Sequence, residues 1–524
     1  MLGKILSNLR ADNHMTQENI AEKLNVSRQT VQKWETGVSL PTLDKLIKLS
    51  ELFHVTLDYL CRDLKYETDF SGRIGEELLP NYSNIHEWEL WSKALPIEYR
   101  QCLDEGKDVE KYRELFEAIE HLPATDEKEK MCDALFSLVS ELPNVDGYPY
   151  IEPNDIEAIK AERKKYKLSF QEYDLDDKLL GGWYGRICGC LHGKPVESIS
   201  TKELKILCEE TGNYPLQRYI TKDDIPDDIN EKINFPINTF VHPKVLEYMP
   251  YDDDTNYMVL ALKLLKQYGR DFSSENVADI WLSSQPKTAY CTAERIAYKN
   301  LVNGFLPPDS AYYKNAYREW IGAQIRGDVF GYVNPCSPEE AAEMAWKDAR
   351  ISHIKNGIYG EMWVSAMIAI AYGTDDMLSV IRGGLAQIPS KSRLYNAVEL
   401  ICSDYESGIE QQVCFSNIAK RWNESNAYDW CHTISNAEIV AAALLYGKGD
   451  YGKSICLAVE QGFDTDCNGA TVGSVLGVML GYNKIPNEWT ERINDTLETT
   501  ICGYNKVSVK KMADQTKGFC LLKE

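Results

Sequence analysis

Asp252, Asp253 and Asp254 stand side by side in Tyr251-Asp-Asp-Asp-Thr255, and Asp464 and Asp466 stand one residue apart in Phe463-Asp-Thr-Asp-Cys467. Carboxylates this close repel one another unless water or a cation neutralises them. Each group opens an apolar run: Met258, Leu260, Leu262 and Leu264 after the first, Ala470, Val472, Val475 and Leu476 after the second. No Lys or Arg lies near Asp464 and Asp466 in the chain. A single acidic helix start is usually solvated. Two of the same kind supply hard oxygen ligands in a number that suits Mg²⁺, or Mn²⁺, as a pair of ions.

The elements that must position these acids are themselves unusual. Gly469, Gly473, Gly477 and Gly481 recur every fourth residue in a stretch otherwise rich in Ala, Val, Leu and Met. Glycines at that spacing share one helical face and admit another backbone. Each costs about 1 kcal/mol relative to Ala in a helix, so close packing is expected there. A second small-residue helix is expected over Asp177–Cys190, running into Leu191-His-Gly-Lys-Pro-Val-Glu197. The segment from there to Pro250 reads as a long irregular loop over a site. Tyr359 to Tyr372 reads as a core helix whose Met and aromatic residues pack.

From Gly147 onward the chain resembles the ADP-ribosylglycohydrolase family. The motifs that carry the resemblance are Gly185-Arg-Ile-Cys-Gly-Cys-Leu-His-Gly-Lys-Pro-Val-Glu197, Tyr251-Asp-Asp-Asp-Thr255 and Asp464-Thr-Asp-Cys-Asn-Gly-Ala-Thr-Val-Gly473, with Ala349-Arg-Ile-Ser-His353 as a weaker match. The resemblance implies an all-α domain around two Mg²⁺ ions. It also implies hydrolysis of the N- or O-glycosidic bond of an ADP-ribosylated protein, nucleic acid or small molecule. By position, Asp253, Asp254, Asp464 and Asp466 are the metal carboxylates. Asp252, also assigned to the metal, replaces a Ser or Thr. Cys467 stands where the family has a hydroxyl and is expected not to bind Mg²⁺, because a thiol is a poor ligand for it.

Glu197, Asp253 and Asp466 are the expected catalytic groups, acting as acid or base in the two-carboxylate logic of glycoside hydrolysis. His432, Asn468 and Gly469 are expected to contact substrate. His353 is expected to be a satisfied buried histidine. The alternative is a transcription regulator whose C-terminal domain senses ADP-ribose or a related nucleotide with little or no turnover.

At the other end, the first sixty residues give five amphipathic helices. Thr16 and Ser27 stand at N-caps, and Gly37 is a stop signal. Met15-Thr-Gln-Glu-Asn-Ile-Ala21, Leu24-Asn-Val-Ser-Arg-Gln-Thr-Val31 and Trp34-Glu-Thr-Gly37 resemble the Cro/phage-repressor helix-turn-helix family. That resemblance implies binding of double-stranded DNA, with the third helix in the major groove and commonly as a homodimer. Ser27, Arg28, Gln29, Thr30 and Lys33 are the expected readers, and Gln17 the expected phosphate contact.

Between the ends, the acidic segment to about Val145 reads as helical. One face carries Tyr112, Leu115, Phe116, Ile119 and Leu122; another carries Met131, Leu135, Phe136, Leu138 and Leu142. The expected fold is all-α in three parts: 1–63 for DNA binding, 64–146 as an acidic helical connector and 147–524 for the hydrolase-like domain. A net charge of −23 opposes general binding to nucleic acid or anionic lipid. Fifteen scattered cysteines without metal-type spacing suit reduced thiols in a cytoplasm. No apolar run approaches the roughly 20 residues that span a bilayer.

Overall fold

The computed structural model describes residues 2–61, 79–237 and 247–520. They fall into two compact units, Met1–Pro80 and Asn81–Glu524, each with its own buried core.

Among the described residues the small unit has five helices, α1 (Leu2–Asp12), α2 (Gln17–Leu24), α3 (Arg28–Glu35), α4 (Leu43–Phe53) and α5 (Leu57–Cys61). The expected caps form. Thr16 and Asn19 bond reciprocally in a capping box, and Ser27 Oγ accepts from Thr30 N. Asn25 ends α2 in the left-handed region, and Gly37, at φ +74°, follows α3. Ile20, Leu24, Val31 and Trp34 are buried. Gly3 is needed for closeness: a Cβ there would meet the Glu35 carbonyl oxygen at 2.3 Å.

Among the described residues the large unit is all-α apart from two three-residue antiparallel strands, Thr496–Glu498 and Lys506–Ser508. At its centre the helices Leu175–Gly193 and Thr465–Leu480 lie backbone to backbone. Gly181 faces Gly477, Gly185 faces Gly473, Gly189 faces Gly469 and Gly193 faces Thr465, so the two run antiparallel. A Cβ on Gly185 would come within 2.1 Å of the Gly473 oxygen, and one on Gly473 within 2.1 Å of the Gly185 oxygen. The glycine expectation thus acquires its partner. Gly481 does something else: it ends the helix at φ +86° and lies against Asp177. The Lys355–Ala371 helix is almost wholly buried, as its composition suggested.

The expected connector is where the structure differs most from the sequence reading. Residues from Asn81 belong to the large unit. The Leu95–Asp104 helix and the residue after it bring Glu98 and Glu105 to Arg318, each at 2.7 Å, and Lys355 reaches Glu105 at 2.8 Å. Arg318, Glu98 and Glu105 are all buried. Buried charges must be paired, and here the pairing welds 81–146 to the rest. The amphipathic faces are also narrower than expected. Phe116 and Ile119 are buried while Leu115 and Leu122 are exposed; Cys132, Leu135 and Val139 are buried while Met131 and Leu138 are exposed. The expected loop after Glu197 contains a capped helix, Thr201–Glu210, with Leu204, Leu207 and Cys208 buried.

Candidate functional site

The two glycine-packed helices deliver the acids. Asp464 and Asp466 begin the Thr465–Leu480 helix, and Glu197 follows the Lys194–Val196 turn that continues its partner. Thr465 Oγ1 donates to the Gly193 carbonyl at 3.0 Å, which ties the two ends together. A third helix, Asp253–Tyr268, starts at the same place, its N-cap Asp252 accepting from Asp254 N at 2.9 Å. Glu197, Asp464 and Asp466 offer ligand atoms that all lie within 4.8 Å of one another, as do those of Asp254, Asp466 and Cys467, and of Cys190, Asp252 and Asp254. Asp252, Asp254, Asp464 and Asp466 are buried; Glu197 and Asp253 are partly exposed.

Counter-charges are present, supplied across the fold where the chain near Asp464 had none. Arg186 bonds Asp254 Oδ1 at 2.7 Å and pairs with Asp328 at 2.9 Å; Lys194 Nζ bonds Asp252 Oδ2 at 2.6 Å. Arg186 is a charge inside a small-residue helix, and such a charge demands a buried acid. That was the signal available in the sequence for its role.

Six carboxyl groups against these two bases leave excess negative charge, and proton affinities respond. Asp466 beside it, and then burial, push Glu197 well above the usual carboxyl range. Burial and neighbouring acids push Asp254, Asp464 and Asp466 up, and Asp253 up to about 7. Asp252 goes the other way: burial raises it, but Lys194 and hydrogen bonds outweigh burial and lower it. Raised proton affinity among clustered oxygen donors fits a divalent cation, whose positive charge would take the place of protons.

Asn468 donates to Asn436 Oδ1 at 2.8 Å, and Asp464 N donates to the same oxygen at 3.3 Å. Gly469 lies in the contact with Gly189. The His432 ring is buried, stacked on Trp422 at 5.7 Å; its Nδ1 accepts from Ile434 N and its Nε2 lies 4.0 Å from Glu319. It is Cys431, the residue before, that reaches Asp464 Oδ2, at 3.7 Å. His353 is fully buried with Nδ1 against Ser352 Oγ at 2.8 Å.

A family model described as ADP-ribosylglycohydrolase matches residues 171–517. The chain belongs to the ADP-ribosylglycohydrolase family. A solved structure described as an ADP-ribosylglycohydrolase-related protein complex is similar at 15% identity and a TM-score of 0.42, over 66% of this chain and 99% of that one.

A helix-turn-helix model matches residues 6–60. The HTH-type transcriptional activator BcrR of Enterococcus faecalis is 44% identical over 55 residues, 10% of this chain and 27% of that protein. The HTH-type transcriptional regulator ImmR of Bacillus subtilis (strain 168) is 41% identical over 82 residues, 15% of this chain and 65% of that protein. The chain thus spans less than two thirds of either regulator's length.

In this unit Ser27, Arg28, Gln29 and Lys33 are exposed and Thr30 half-buried, its hydroxyl 2.8 Å from that of Ser27. Gln17 donates to Glu35 at 2.7 Å, and Glu35 also holds Arg10 at 2.6 Å.

Proposed function

We propose that the large unit is a divalent-cation-dependent glycosidase that cleaves the N- or O-glycosidic bond of ADP-ribosylated substrates, joined to a sequence-specific DNA-binding unit. The observation that carries this reading is the convergence of Glu197, Asp253, Asp254, Asp464 and Asp466, from three distant stretches, on one set of helix ends.

Two Mg²⁺ ions, or Mn²⁺, are the cofactors this reading requires, held by Glu197, Asp464 and Asp466 on one side and Asp253 and Asp254 on the other. When bound, they supply positive charge that acidifies a water and orients sugar hydroxyls. Glu197 sits half-exposed with its proton held by neighbouring acids, which suits an acid that gives that proton to the departing group. Asp253, also partly exposed, would take a proton from the attacking water. Asp466, buried between them, raises the proton affinity of Glu197. The hollow lined by Thr201, Phe415, Trp422, Asn423 and Phe463, about 250 Å³, is next to Asp464 in the chain; its rings suit a nucleobase. In this reading Asn468 and Gly469 bear on substrate by setting the start of their helix, and His432 by backing Trp422.

Incubation with arginine-, serine- and nucleic-acid-linked ADP-ribose tests the proposal. Multiple-turnover release of ADP-ribose, lost with a chelator, is the expected result. Release from none of them by metal-loaded protein overturns it. A second reading, a regulator that binds ADP-ribose or a related nucleotide with little turnover, is favoured by the Lys194–Asp252 pair, which occupies a proposed ligand. Ligand-dependent change in DNA binding without turnover would support that one.

The DNA reading rests on Arg28, Gln29 and Lys33, outward on α3, with Ser27, Thr30 and Gln17 flanking; two copies would read two half-sites. A cytoplasmic location is proposed from the fifteen scattered cysteines, which lack metal-type spacing and suit reduced thiols. Among the described residues, no helix is long and apolar enough to cross a membrane.

A further inference from the structure

Four of the five aspartates in the cluster have a cysteine neighbour. Cys190 lies beside Asp252 and Cys291 beside Asp253, while Cys467 donates to Asp254 Oδ2 at 3.2 Å and Cys431 to Asp464 Oδ2 at 3.7 Å. These thiols come from four separate stretches of chain, so the fold gathers them around the acids. Two of them also offer sulfur within ligand spacing of carboxylate oxygens: Cys467 with Asp254 and Asp466, and Cys190 with Asp252 and Asp254. The remaining grouping, Glu197, Asp464 and Asp466, is oxygen alone.

The two sulfur groupings are not equivalent. Both acids beside Cys190 are already paired with fixed positive charges, Asp252 with Lys194 and Asp254 with Arg186. A dication there meets two cations at close range. The Cys467 grouping shares Asp254 and its Arg186 but meets only that one cation, because its other acid, Asp466, makes no ion pair among the described residues and belongs to the all-oxygen grouping as well. A carboxylate shared by two groupings is the natural bridge of a two-ion centre. Mg²⁺ gains little from sulfur, whereas thiolate selects borderline and soft ions.

Building on the metal-centre reading above, we propose that the two positions differ in kind. Glu197, Asp464 and Asp466 take Mg²⁺ or Mn²⁺. On the side assigned above to Asp253 and Asp254, Asp254, Asp466 and the Cys467 thiolate take a borderline dication of the Fe²⁺ to Zn²⁺ series, with Asp253 beside them and Asp466 common to both positions. Cys467 is then a ligand, where the sequence alone made it a bystander. Loading this position expels the thiol proton to solvent. Cys190, Cys291 and Cys431 remain protonated thiols that donate to the outer oxygens of the ligating carboxylates and orient them.

Cobalt(II) added to the full chain under reducing conditions tests this, since it absorbs in the near ultraviolet by sulfur-to-metal charge transfer only when thiolate binds it. The band is expected in the natural protein and in Cys190→Ser, and lost in Cys467→Ser while Mg²⁺ binding by calorimetry persists. Cobalt bound without the band, or a band that survives Cys467→Ser, overturns the inference and leaves the metal centre standing. Binding of neither cobalt nor Mg²⁺ removes the metal centre itself, and this inference with it. X-ray absorption of the zinc-loaded natural protein needs no variant. One sulfur at about 2.3 Å is expected, and a shell of oxygen and nitrogen alone overturns the proposal.

Discussion

Gly189 and Gly469 meet with no side chain between them: a Cβ on Gly189 would lie 2.0 Å from the Gly469 oxygen, and one on Gly469 would lie 2.4 Å from the Gly189 oxygen. The atoms in the way are backbone, which cannot swing aside as a side chain does.

Gly189→Ala should therefore force the helices apart and destabilise the large unit by at least about 1–3 kcal/mol, the usual range for overpacking. Gly503→Ala, where a Cβ meets nothing within 4 Å but φ is +85°, is the control for backbone strain alone. Denaturant unfolding of both variants measures the difference. Equal, small losses would contradict the close-packing argument.

Asp466 belongs to two of the ligand groupings, whereas Asp252 is engaged by Lys194 at 2.6 Å. Asp466→Asn should lose most divalent-cation binding in calorimetry, and Asp252→Asn should keep more of it. In turnover, Asp253→Ala and Asp466→Ala should be inactive. Glu197→Gln should fall by about 10²–10⁴-fold, the range for a lost general acid or base.

Arg318 is held by Glu98 and Glu105 from the segment ahead of residue 147. Arg318→Met strands those buried acids and should cost about 3–5 kcal/mol. By the same reasoning a chain beginning at residue 147 should express poorly, and one beginning at residue 81 should fold. Comparable thermal unfolding of the two shortened chains would argue against the weld.

His192 is fully buried between Tyr219 and Trp489, neither ring nitrogen has a hydrogen-bond partner among the described residues, and burial lowers its pKa to about 3. The unfolded chain takes up that proton near pH 6.5 and the fold refuses it until about 3. Stability from this group is therefore present above about pH 6.5 and declines as the pH falls toward 3. His192→Leu should flatten the acid limb of a stability-against-pH curve relative to the natural protein, read from denaturant midpoints.

Arg28→Ala should weaken binding to a selected DNA site by about 1–3 kcal/mol and relax sequence preference at one base position. Lys33→Ala should weaken all sequences alike and reduce the salt dependence if it contacts phosphate. Competition binding against single-base variants of the site separates the two outcomes.

Local chemistry explains what could be read in advance. Thr16, Ser27, Asn25 and Gly37 act within a turn of their own position, so the helix ends of the small unit follow from the chain alone. The paired acids were visible because adjacent like charges are odd wherever they fall. The ion pairs made by Arg186 and Lys194, the thiols beside four of the aspartates and the glycine opposite Gly469 depend on registers between distant stretches. Leu115 and Met131 misled for another reason: an apolar residue at the edge of a helical stripe has the same periodicity whether or not a neighbour covers it.

The glycine ladder also acts as a gauge. Glu197 follows one of its rails directly and Asp466 begins the other. The width of the jaws that would grip a substrate is thus a dimension of two touching backbones, set before any rotamer is chosen. Individual carboxylates, hydroxyls or thiols can be exchanged along those jaws, and the chemistry retuned, without altering the gap between them.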